Sequence, residues 1–495
     1  MVTKENNLQK PNVLLISVDH WPGRFLSALG HPVVLTPTLD QLLANGVGFT
    51  NAYCTTPMCV PARRELMTGT FARTHGNRGG SGNGNSNTKS HPTNTLAKAF
   101  VDYGYQAYGV GKLHVSPSRN RIGFNDVLLN EEGRMRYLSK EKDDYEIFLS
   151  EQGNPGLEFA GGHSNNYDFR PWHLSEYEHS TNWTARETAK SIVRRDKQRP
   201  SFWYMSFTAP HPPLNPLQQY FDMYRDVEVD LPFHGDWSLN FDQLPYALKA
   251  RPRRIKGQNF SKIQEELIRK AFYALCTHVD HQIRTVIGTL KEEGIVDNTI
   301  IAFTSDHGDV LGNHGIYTKM CFYEEATKIP MIITPSATLV DQVGFGITDD
   351  RLVAQADVMP TLLEMCGIPV PDSVEGISMF SSSKRDYLYG EFYEDSPLCT
   401  RMIRSGNFKL IYYPVGNIFQ LFNLKEDPNE LKDVSNFKKF FEIKKSLIQK
   451  LVNSLYGSDL DWVSDGNLVG LTAVSYTHLR AHETDSYLVC RLLLE

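Results

Sequence analysis

Short apolar runs that end in polar, chemically reactive residues recur along the chain. Residues 13–18, 105–110, 200–207 and 299–304 are continuous apolar segments rich in β-branched and aromatic residues. Such runs predict strands that are buried on both faces. Residues 39–45, 96–103, 184–196 and 262–293 carry helical patterns between them. This alternation predicts an α/β fold with a large, mostly parallel sheet flanked by helices.

The pattern changes after about residue 385. Residues 402–424 read as short strands separated by Gly-Asn pairs, which predicts a small antiparallel sheet. A helical tail is predicted to start at residues 427–430. We therefore predict an N-terminal catalytic domain over 1–385 and a small C-terminal subdomain over 386–473. Residues between about 117 and 180 look irregular and polar, and we expect them to shape the substrate site.

The last segment has a different character. Residues 474–484 (VSYTHLRAHET) and 488–495 (LVCRLLLE) resemble translations of sequencing-adapter DNA. We expect residues 474–495 to be read-through rather than native protein. His478, His482 and Cys490 are accordingly expected to carry no function.

Composition narrows the class of protein. The chain has 495 residues, 41% of them hydrophobic, and a formal net charge of -6, which gives no reason to expect a nucleic-acid partner. Its seven cysteines show neither metal-type nor disulfide-type spacing, as is typical of a reducing compartment. No signal peptide or membrane-spanning run stands at the N-terminus. We expect a cytoplasmic protein without a membrane partner.

Reactive side chains cluster where the predicted strands end. Because a parallel sheet binds its ligands beyond the carboxyl ends of its strands, residues that follow different strands should meet at one rim. The candidates that follow the four strands are Asp19, His20, Lys112, His114, His211, Asp306 and His307.

A further candidate is Cys59, in the segment Cys59-Val60-Pro61-Ala62-Arg63. Pro61 suits the first turn of a helix, the following residues are good helix formers, and Gly69 can end the helix. Cys59 is therefore expected just before a short helix, at the positive end of its dipole, where a thiolate or another anion is stabilised. Arg63 lies one turn further on and can reach back toward it.

The C-x-P-x-R segment, followed by Leu-Met-Thr-Gly, resembles the signature of type I sulfatases in the alkaline-phosphatase-like superfamily. The resemblance implies that Cys59 is oxidised after translation to Cα-formylglycine, by a formylglycine-generating enzyme or an anaerobic sulfatase-maturating enzyme. The hydrated aldehyde then acts as the nucleophile of a sulfuric ester hydrolase. Cys54 lacks the Pro and Arg that complete the motif and is predicted to be structural.

The same resemblance implies a divalent cation beside position 59. Its ligands would be Asp19, Asp306, His307 and the modified Cys59, with calcium favoured and manganese or another divalent ion left open. His20 departs from the family, which usually has a carboxylate or an amide there. His20 is therefore either a further ligand or a residue that supports the ligands from behind.

Three further segments carry the resemblance. Gly111-Lys112-Leu113-His114 resembles a G-K-W-H segment: Lys112 would hold the formylglycine oxygen and the sulfate, and His114 would take the proton whose loss expels sulfate. His211, in a P-H-x-P segment, would protonate the leaving oxygen. Lys319 matches a lysine that contacts both sulfate and leaving oxygen. Arg63 would help to stabilise the charge, and His314 would shape its loop or contact substrate.

Two other functions stay open at this point. A phosphonate monoester or phosphodiester hydrolase uses the same nucleophile and accommodates a pair such as Asp306-His307. A non-catalytic anion-binding protein would result if Cys59 stayed unmodified. The expected substrate is a small-molecule or saccharide sulfate ester, whose identity the sequence does not reveal.

Overall fold

The structure is a computed structural model that describes residues 10–79, 94–135, 140–250 and 260–471. The segment 474–495, predicted to be read-through, lies outside the described residues. Two sheets organise the described chain, a large one of eight strands and a small one of four.

The large sheet confirms the predicted α/β architecture. Its strands, named in chain order, are β1 (Asn12–Val18), β2 (Val47–Tyr53), β3 (Gln106–Gly111), β4 (Asp126–Leu129), β5 (Ser201–Ser206), β6 (Thr299–Ser305), β7 (Met331–Thr334) and β8 (Ile347–Ala354). They lie side by side in the order β4-β3-β5-β1-β6-β7-β2-β8. Within the described residues, β7 runs opposite to the other seven.

Four adjacent parallel strands position the candidate chemistry. β3, β5, β1 and β6 are neighbours in that order, and each pair is in parallel register. All residues of β1, β5 and β6 are buried, as expected for strands covered by helices on both faces. Their carboxyl ends therefore meet at one rim.

Helices cover the sheet and frame the rim. They are α1 (Pro37–Ala44), α2 (Cys59–Thr68), α3 (Ala72–His75), α4 (Leu96–Asp102), α5 (Asp144–Glu151), α6 (Ser180–Val193), α7 (Gln218–Asp222), α8 (Tyr246–Lys249), α9 (Lys262–Glu292), α10 (Glu324–Thr327), α11 (Val340–Val343), α12 (Val358–Met365) and α13 (Phe441–Ser454). The 31-residue helix α9 begins with a capping box between Ser261 and Gln264.

The small antiparallel sheet confirms the prediction for residues 402–424. Its strands are β9 (Tyr387–Phe392), β10 (Thr400–Ser405), β11 (Phe408–Tyr413) and β12 (Ile418–Asn423), in the order β12-β11-β10-β9. A two-residue strand pair, β13 (Val463–Ser464) and β14 (Asn467–Leu468), follows. β9 starts next to the predicted boundary at 385/386, but the division into domains itself stays a prediction.

Apolar packing fixes the small sheet against the large one. One face of the small sheet packs with Val310, Ile316 and Phe322, which belong to the segment that follows β6. The other face packs under α13. Lys409 on β11 of the small sheet forms ion pairs with Glu324 of α10 at 2.9 Å and with Glu430 at 2.6 Å.

Two local predictions were wrong. Residues 117–180 are not irregular throughout, because β4 joins the edge of the large sheet and α5 follows it. The helical tail does not start at residues 427–430, because Glu430 has a left-handed φ of 54° and turns its carboxylate inward to Lys409. The tail helix α13 starts only at Phe441. In the described part of the chain, no helix is both long and apolar enough to span a membrane.

Candidate active site

Cys59 occupies the first turn of α2. The helix begins at Cys59 itself rather than after it, because Ala62 N–H already donates to the Met58 carbonyl at 3.0 Å. Pro61 fits there, since the first N–H groups of a helix have no partner within the helix. Gly69 ends the helix with φ 63°, as predicted. The thiol is 4% exposed and lies at the positive end of the helix dipole.

Two aspartates and a histidine from other strand ends surround the thiol. Its Sγ lies 3.3 Å from His307 Nε2 and 3.9 Å from Asp19 Oδ1. One ligand atom from each of Asp19, Cys59, Asp306 and His307 lies within 4.8 Å of all the others, and the same holds for Asp19, His20, Cys59 and His211. β1 and β6 carry the two aspartates and are paired in parallel, so adjacent strand ends bring together residues 287 positions apart in sequence.

His307 turns one ring nitrogen to the cluster. Its Nδ1 lies 2.9 Å from the Gly308 carbonyl, which only accepts hydrogen bonds. Nδ1 therefore carries the proton, and Nε2 offers a lone pair to the cluster. Carboxylates and an imidazole are ligands that suit a divalent cation. The chemistry of this donor set fits the cation predicted from the sequence.

Arg63 lies beneath the two aspartates. Its Nε donates to Asp306 at 3.0 Å and its Nη2 to Asp19 at 3.3 Å. Its Nη1 donates to three further groups, the Lys112 carbonyl, Tyr204 and Ser206. All three nitrogens of the guanidinium have protein partners, so the contacts of Arg63 hold the carboxylates in place.

Lys112 and His114 approach from the end of β3. Lys112 Nζ forms ion pairs with Asp19 and, at 2.9 Å, with Glu132. His114 has a left-handed φ of 56°, so the chain is no longer extended there. Its N–H is held by Glu131 at 2.8 Å and its Nε2 lies 2.9 Å from Arg134 Nη1. Burial, together with Arg134, lowers the pKa of His114 to about 3.

Lys319 and His211 complete the far side of the cluster. Lys319 Nζ contacts His20 Nε2 and lies 3.4 Å from His211 Nε2. The His211 ring lies 4.2 Å from that of His20, centroid to centroid. Burial lowers the pKa of His211 well below its usual value. The structure thus brings the candidate catalytic and cation-binding residues into one cluster, in which His114 is half-buried and the others are buried.

The electrostatics of the cluster favour an anion at position 59. Burial raises the pKa of the Cys59 thiol, but Lys319, Lys112 and His307 more than offset this, so the pKa falls well below its usual value. Burial likewise raises the pKa of Asp19, but Lys112, His211 and Arg63 bring it well below the usual range. Burial and the neighbouring Asp19 raise the pKa of Asp306.

Sequence reasoning missed five residues that hold the cluster. Glu132 supports Lys112, and Glu131 and Arg134 support His114. Asp309 supports His20, and Tyr167 donates to Asp309. Asp309 could have been found from its sequence position, three residues after Asp306. The other four lie in the stretch that was predicted to be irregular, which carried no such signal. His314 is buried and its Nδ1 accepts from Gly235 N–H at 3.1 Å, so it joins two loops.

Comparisons with known proteins agree on the family. The model of the sulfatase family matches residues 11–368, and that of the C-terminal region of N-sulphoglucosamine sulphohydrolase matches residues 312–456. An arylsulfatase of Clostridium perfringens is 34% identical over 95% of this chain and 100% of its own length. Arylsulfatase K of Bos taurus is 26% identical over 89% of this chain and 81% of its own length.

Solved structures agree on the fold. A structure in complex with its substrate D-glucosamine-2-N,6-O-disulfate superposes with a TM-score of 0.69 at 21% identity, covering 90% of this chain and 97% of that one. A phosphonate monoester hydrolase of Agrobacterium radiobacter superposes with a TM-score of 0.75 at 23% identity, covering 93% of this chain and 100% of that one.

Proposed function

Because this chain belongs to the sulfatase family and is a sulfuric ester hydrolase, we propose that it cleaves a sulfate monoester at Cys59 after oxidation of that residue to Cα-formylglycine. The observation that carries this proposal is the packing of the Cys59 sulfur against Asp19 and His307, at a position where Lys319 and Lys112 both favour an anion. A sulfate group is anionic and repels nucleophiles, so its hydrolysis needs cations around the reacting centre.

We propose Asp19, Asp306 and His307 as the ligands of a divalent cation, with calcium first and manganese or another divalent ion as alternatives. Two carboxylates and one imidazole lone pair, together with position 59, support this assignment. When bound, the cation would neutralise the sulfate oxygens and polarise the sulfur. Arg63 bridges both aspartates and keeps their oxygens turned toward the same point.

The oxidised side chain at position 59 would supply the nucleophilic oxygen. Lys112 and Lys319 would bind the sulfate oxygens, since both act on the charge of this position. The departing oxygen would take its proton beside His211 and Lys319, whose Nε2 and Nζ atoms lie 3.4 Å apart. His114 is held by Glu131 and Arg134. It would take the proton from the side chain at position 59 whose loss expels sulfate.

The proposed substrates are sulfate esters of a phenol or a sugar. Relatives of this chain are named arylsulfatase and N-acetylglucosamine-6-O-sulfatase, and one structural neighbour holds a sulfated glucosamine. A formylglycine-generating enzyme or an anaerobic sulfatase-maturating enzyme would be the partner that prepares Cys59.

Mass spectrometry of the peptide that holds residue 59 tests the nucleophile. Protein from the native host, or from a host with a maturating enzyme, should carry the aldehyde, which is lighter than the thiol by a resolvable mass. Protein from a host without such an enzyme is the control. An unmodified thiol in matured protein that still hydrolyses sulfate esters would overturn the proposed mechanism.

Kinetics separate the sulfatase from its nearest rival. We expect kcat/KM on an aryl sulfate to exceed that on the matching aryl phosphonate monoester. A large advantage for the phosphonate would instead favour the phosphonate hydrolase, whose fold this chain shares. No turnover of either ester by formylglycine-bearing, cation-loaded protein would favour a non-catalytic anion-binding role.

A further inference from the structure

Lys319 lies between two imidazole rings. Its Nζ contacts His20 Nε2, and it lies 3.4 Å from His211 Nε2. A lysine ammonium has three hydrogen-bond donors and no acceptor. Both Nε2 atoms must therefore accept, and neither ring carries its proton on Nε2.

The opposite nitrogen of each ring agrees with this assignment. His20 Nδ1 lies 2.6 Å from Asp309 Oδ2, and His211 Nδ1 lies 2.5 Å from the Pro212 carbonyl. A carboxylate and a carbonyl only accept, so both rings carry a proton on Nδ1. The tautomer of each ring is thus fixed from both of its ends, and both lone pairs point at the ammonium of Lys319.

Asp309 organises this arrangement. Besides His20, its buried carboxylate accepts from Tyr167 and from the N–H groups of Leu311 at 2.9 Å and Thr318 at 3.0 Å. Thr318 and Met320 flank Lys319 with left-handed φ angles of 75° and 73°. One carboxylate therefore holds both the ring of His20 and the strained loop that carries Lys319.

From these contacts we infer that His20 is a positioning residue for Lys319 rather than a ligand of the cation, and that Asp309 fixes it in that role. The inference rests on the proposed sulfatase function, in which Lys319 rather than His211 then protonates the leaving group, because His211 Nε2 carries no proton. As the bond from sulfur to the leaving oxygen breaks, an N–H bond of Lys319 breaks and an O–H bond forms on that oxygen. The electron pair stays on Nζ, and water returns the proton after the product leaves.

Cation binding gives the first test. His20→Gly removes the ring without offering another ligand atom, and glycine accepts the left-handed φ of 70° at this position. We expect this variant to bind one divalent cation as the wild type does, measured by elemental analysis after dialysis against calcium. Asp306→Asn should lose the cation. A loss of similar size in His20→Gly would show that His20 is a ligand and would overturn the inference.

Leaving-group dependence gives the second test. With aryl sulfates of increasing phenol pKa, His20→Asn should lose about a hundredfold in kcat on the poorest leaving group, because general acid catalysis is worth roughly 10²–10⁴-fold. The loss should nearly vanish for 4-nitrophenyl sulfate. Lys319→Gln should give the same slope, and His281→Gln, on the outer part of α9, is the control. An equal loss on all substrates would contradict a role through Lys319.

Histidine tautomers give a test that needs neither formylglycine nor activity. Two-bond proton–nitrogen spectra of ¹⁵N-histidine-labelled protein, assigned with His20→Asn, should show His20 protonated on Nδ1. Asp309→Asn places an amide N–H against Nδ1 and should reverse the tautomer, as in other Asp-His pairs. A wild-type ring protonated on Nε2 would refute the inference. If the tautomer is as expected but no sulfate ester is hydrolysed, the proposed function fails and the placement of His20 stands.

Discussion

At the scale of single residues, the site depends on Cys59 being surrounded by charged and polar side chains rather than by apolar neighbours. Lys319, Lys112 and His307 all act on the charge at position 59. A buried structural cysteine would have a raised pKa, and Cys54 in the same chain is an example: burial and the nearby Glu65 raise its pKa well above the usual value. The contrast between two buried cysteines five positions apart supports the proposal that Cys59 is the reactive one.

We predict that Cys59→Ala abolishes turnover and leaves the fold intact. Removal of a catalytic nucleophile costs about 10⁶-fold in kcat in well-studied hydrolases, whereas one small side chain changes the free energy of unfolding by roughly 1–2 kcal/mol. Activity on an aryl sulfate and a thermal melt measure the two effects. Cys54→Ala, which leaves the motif intact, is the matched control and should keep its activity.

Arg63 shows why a residue near a nucleophile need not touch substrate. Its guanidinium joins Asp306 and Asp19 from below. We predict that Arg63→Lys lowers the affinity for the cation by about 10–100-fold, because a single ammonium cannot bridge both carboxylates. Titration of the apoprotein with calcium measures the affinity. Arg64→Lys is the neighbouring control, and wild-type affinity in Arg63→Lys would contradict the role.

At the scale of elements, helix α2 is anchored at its middle by Glu65. The carboxylate accepts from the Thr55 hydroxyl at 2.6 Å and from Ala356 N–H at 3.2 Å, so it joins the loop before the helix to the end of β8. Burial raises the pKa of Glu65 to about 8. The anchor therefore holds a carboxyl group that prefers its proton.

This raised pKa sets the sign of a pH effect on stability. The folded state binds more protons at Glu65 than the unfolded state does between its ordinary pKa and about 8. The free energy of unfolding should therefore fall as pH rises through that window. Glu65→Gln keeps an acceptor for Ala356 and a donor for Thr55, so it should flatten this fall. Urea unfolding at pH 5 to 9 measures it, and an unchanged slope would contradict the assignment.

The small sheet packs against the loop that carries Lys319. Its inner face packs with Val310 and Ile316, which bracket the turn just before Lys319, and Lys409 pairs with Glu324 just beyond it. A buried cluster of Arg78, Arg401 and Asp459 ties the region after α3 to the end of the described chain. The small sheet therefore supports the loop that supplies Lys319 and does not merely follow it in sequence.

At the scale of the whole molecule, the rim concentrates buried charge that a cation would balance. Asp19 and Asp306 are both fully buried beside the thiol, and burial raises the pKa of Asp306. A ligand that binds only the folded state stabilises it by an amount that grows with the logarithm of its concentration above Kd. The stability of the molecule should therefore depend on divalent cations.

We predict that calcium raises the melting temperature of the apoprotein. At a concentration 100 times its Kd, a ligand stabilises the folded state by about 2.7 kcal/mol. We expect a rise of roughly 2–4 °C, because about 2.1 cal/mol/K per residue gives a chain of this size an unfolding entropy of about 1 kcal/mol/K. Differential scanning fluorimetry with and without a chelator measures the shift. Asp306→Asn should lose it, and no shift with calcium, manganese or magnesium would count against the cation site.

The sequence analysis predicted the elements that have a clear local pattern and missed those that do not. The strands that precede Asp19, Lys112, His211 and Asp306 could be predicted because each is a local apolar run followed by polar residues. Strand β4 was missed because it has four residues, only one of them fully buried, on the edge of the sheet. The cytoplasmic location and the roles of the site residues stay predictions.

By itself, the sequence determined the kind of fold and the residues that could react, because hydrophobic periodicity and short motifs act over a few positions. The tertiary structure decided which partner each reactive residue has. Asp309 meets the ring of His20 across 289 positions, and Arg63 meets Asp306 across 243. Such pairs follow from strand order and loop closure, which no local pattern encodes. Whether His20 binds a cation or holds Lys319 is therefore a question of geometry.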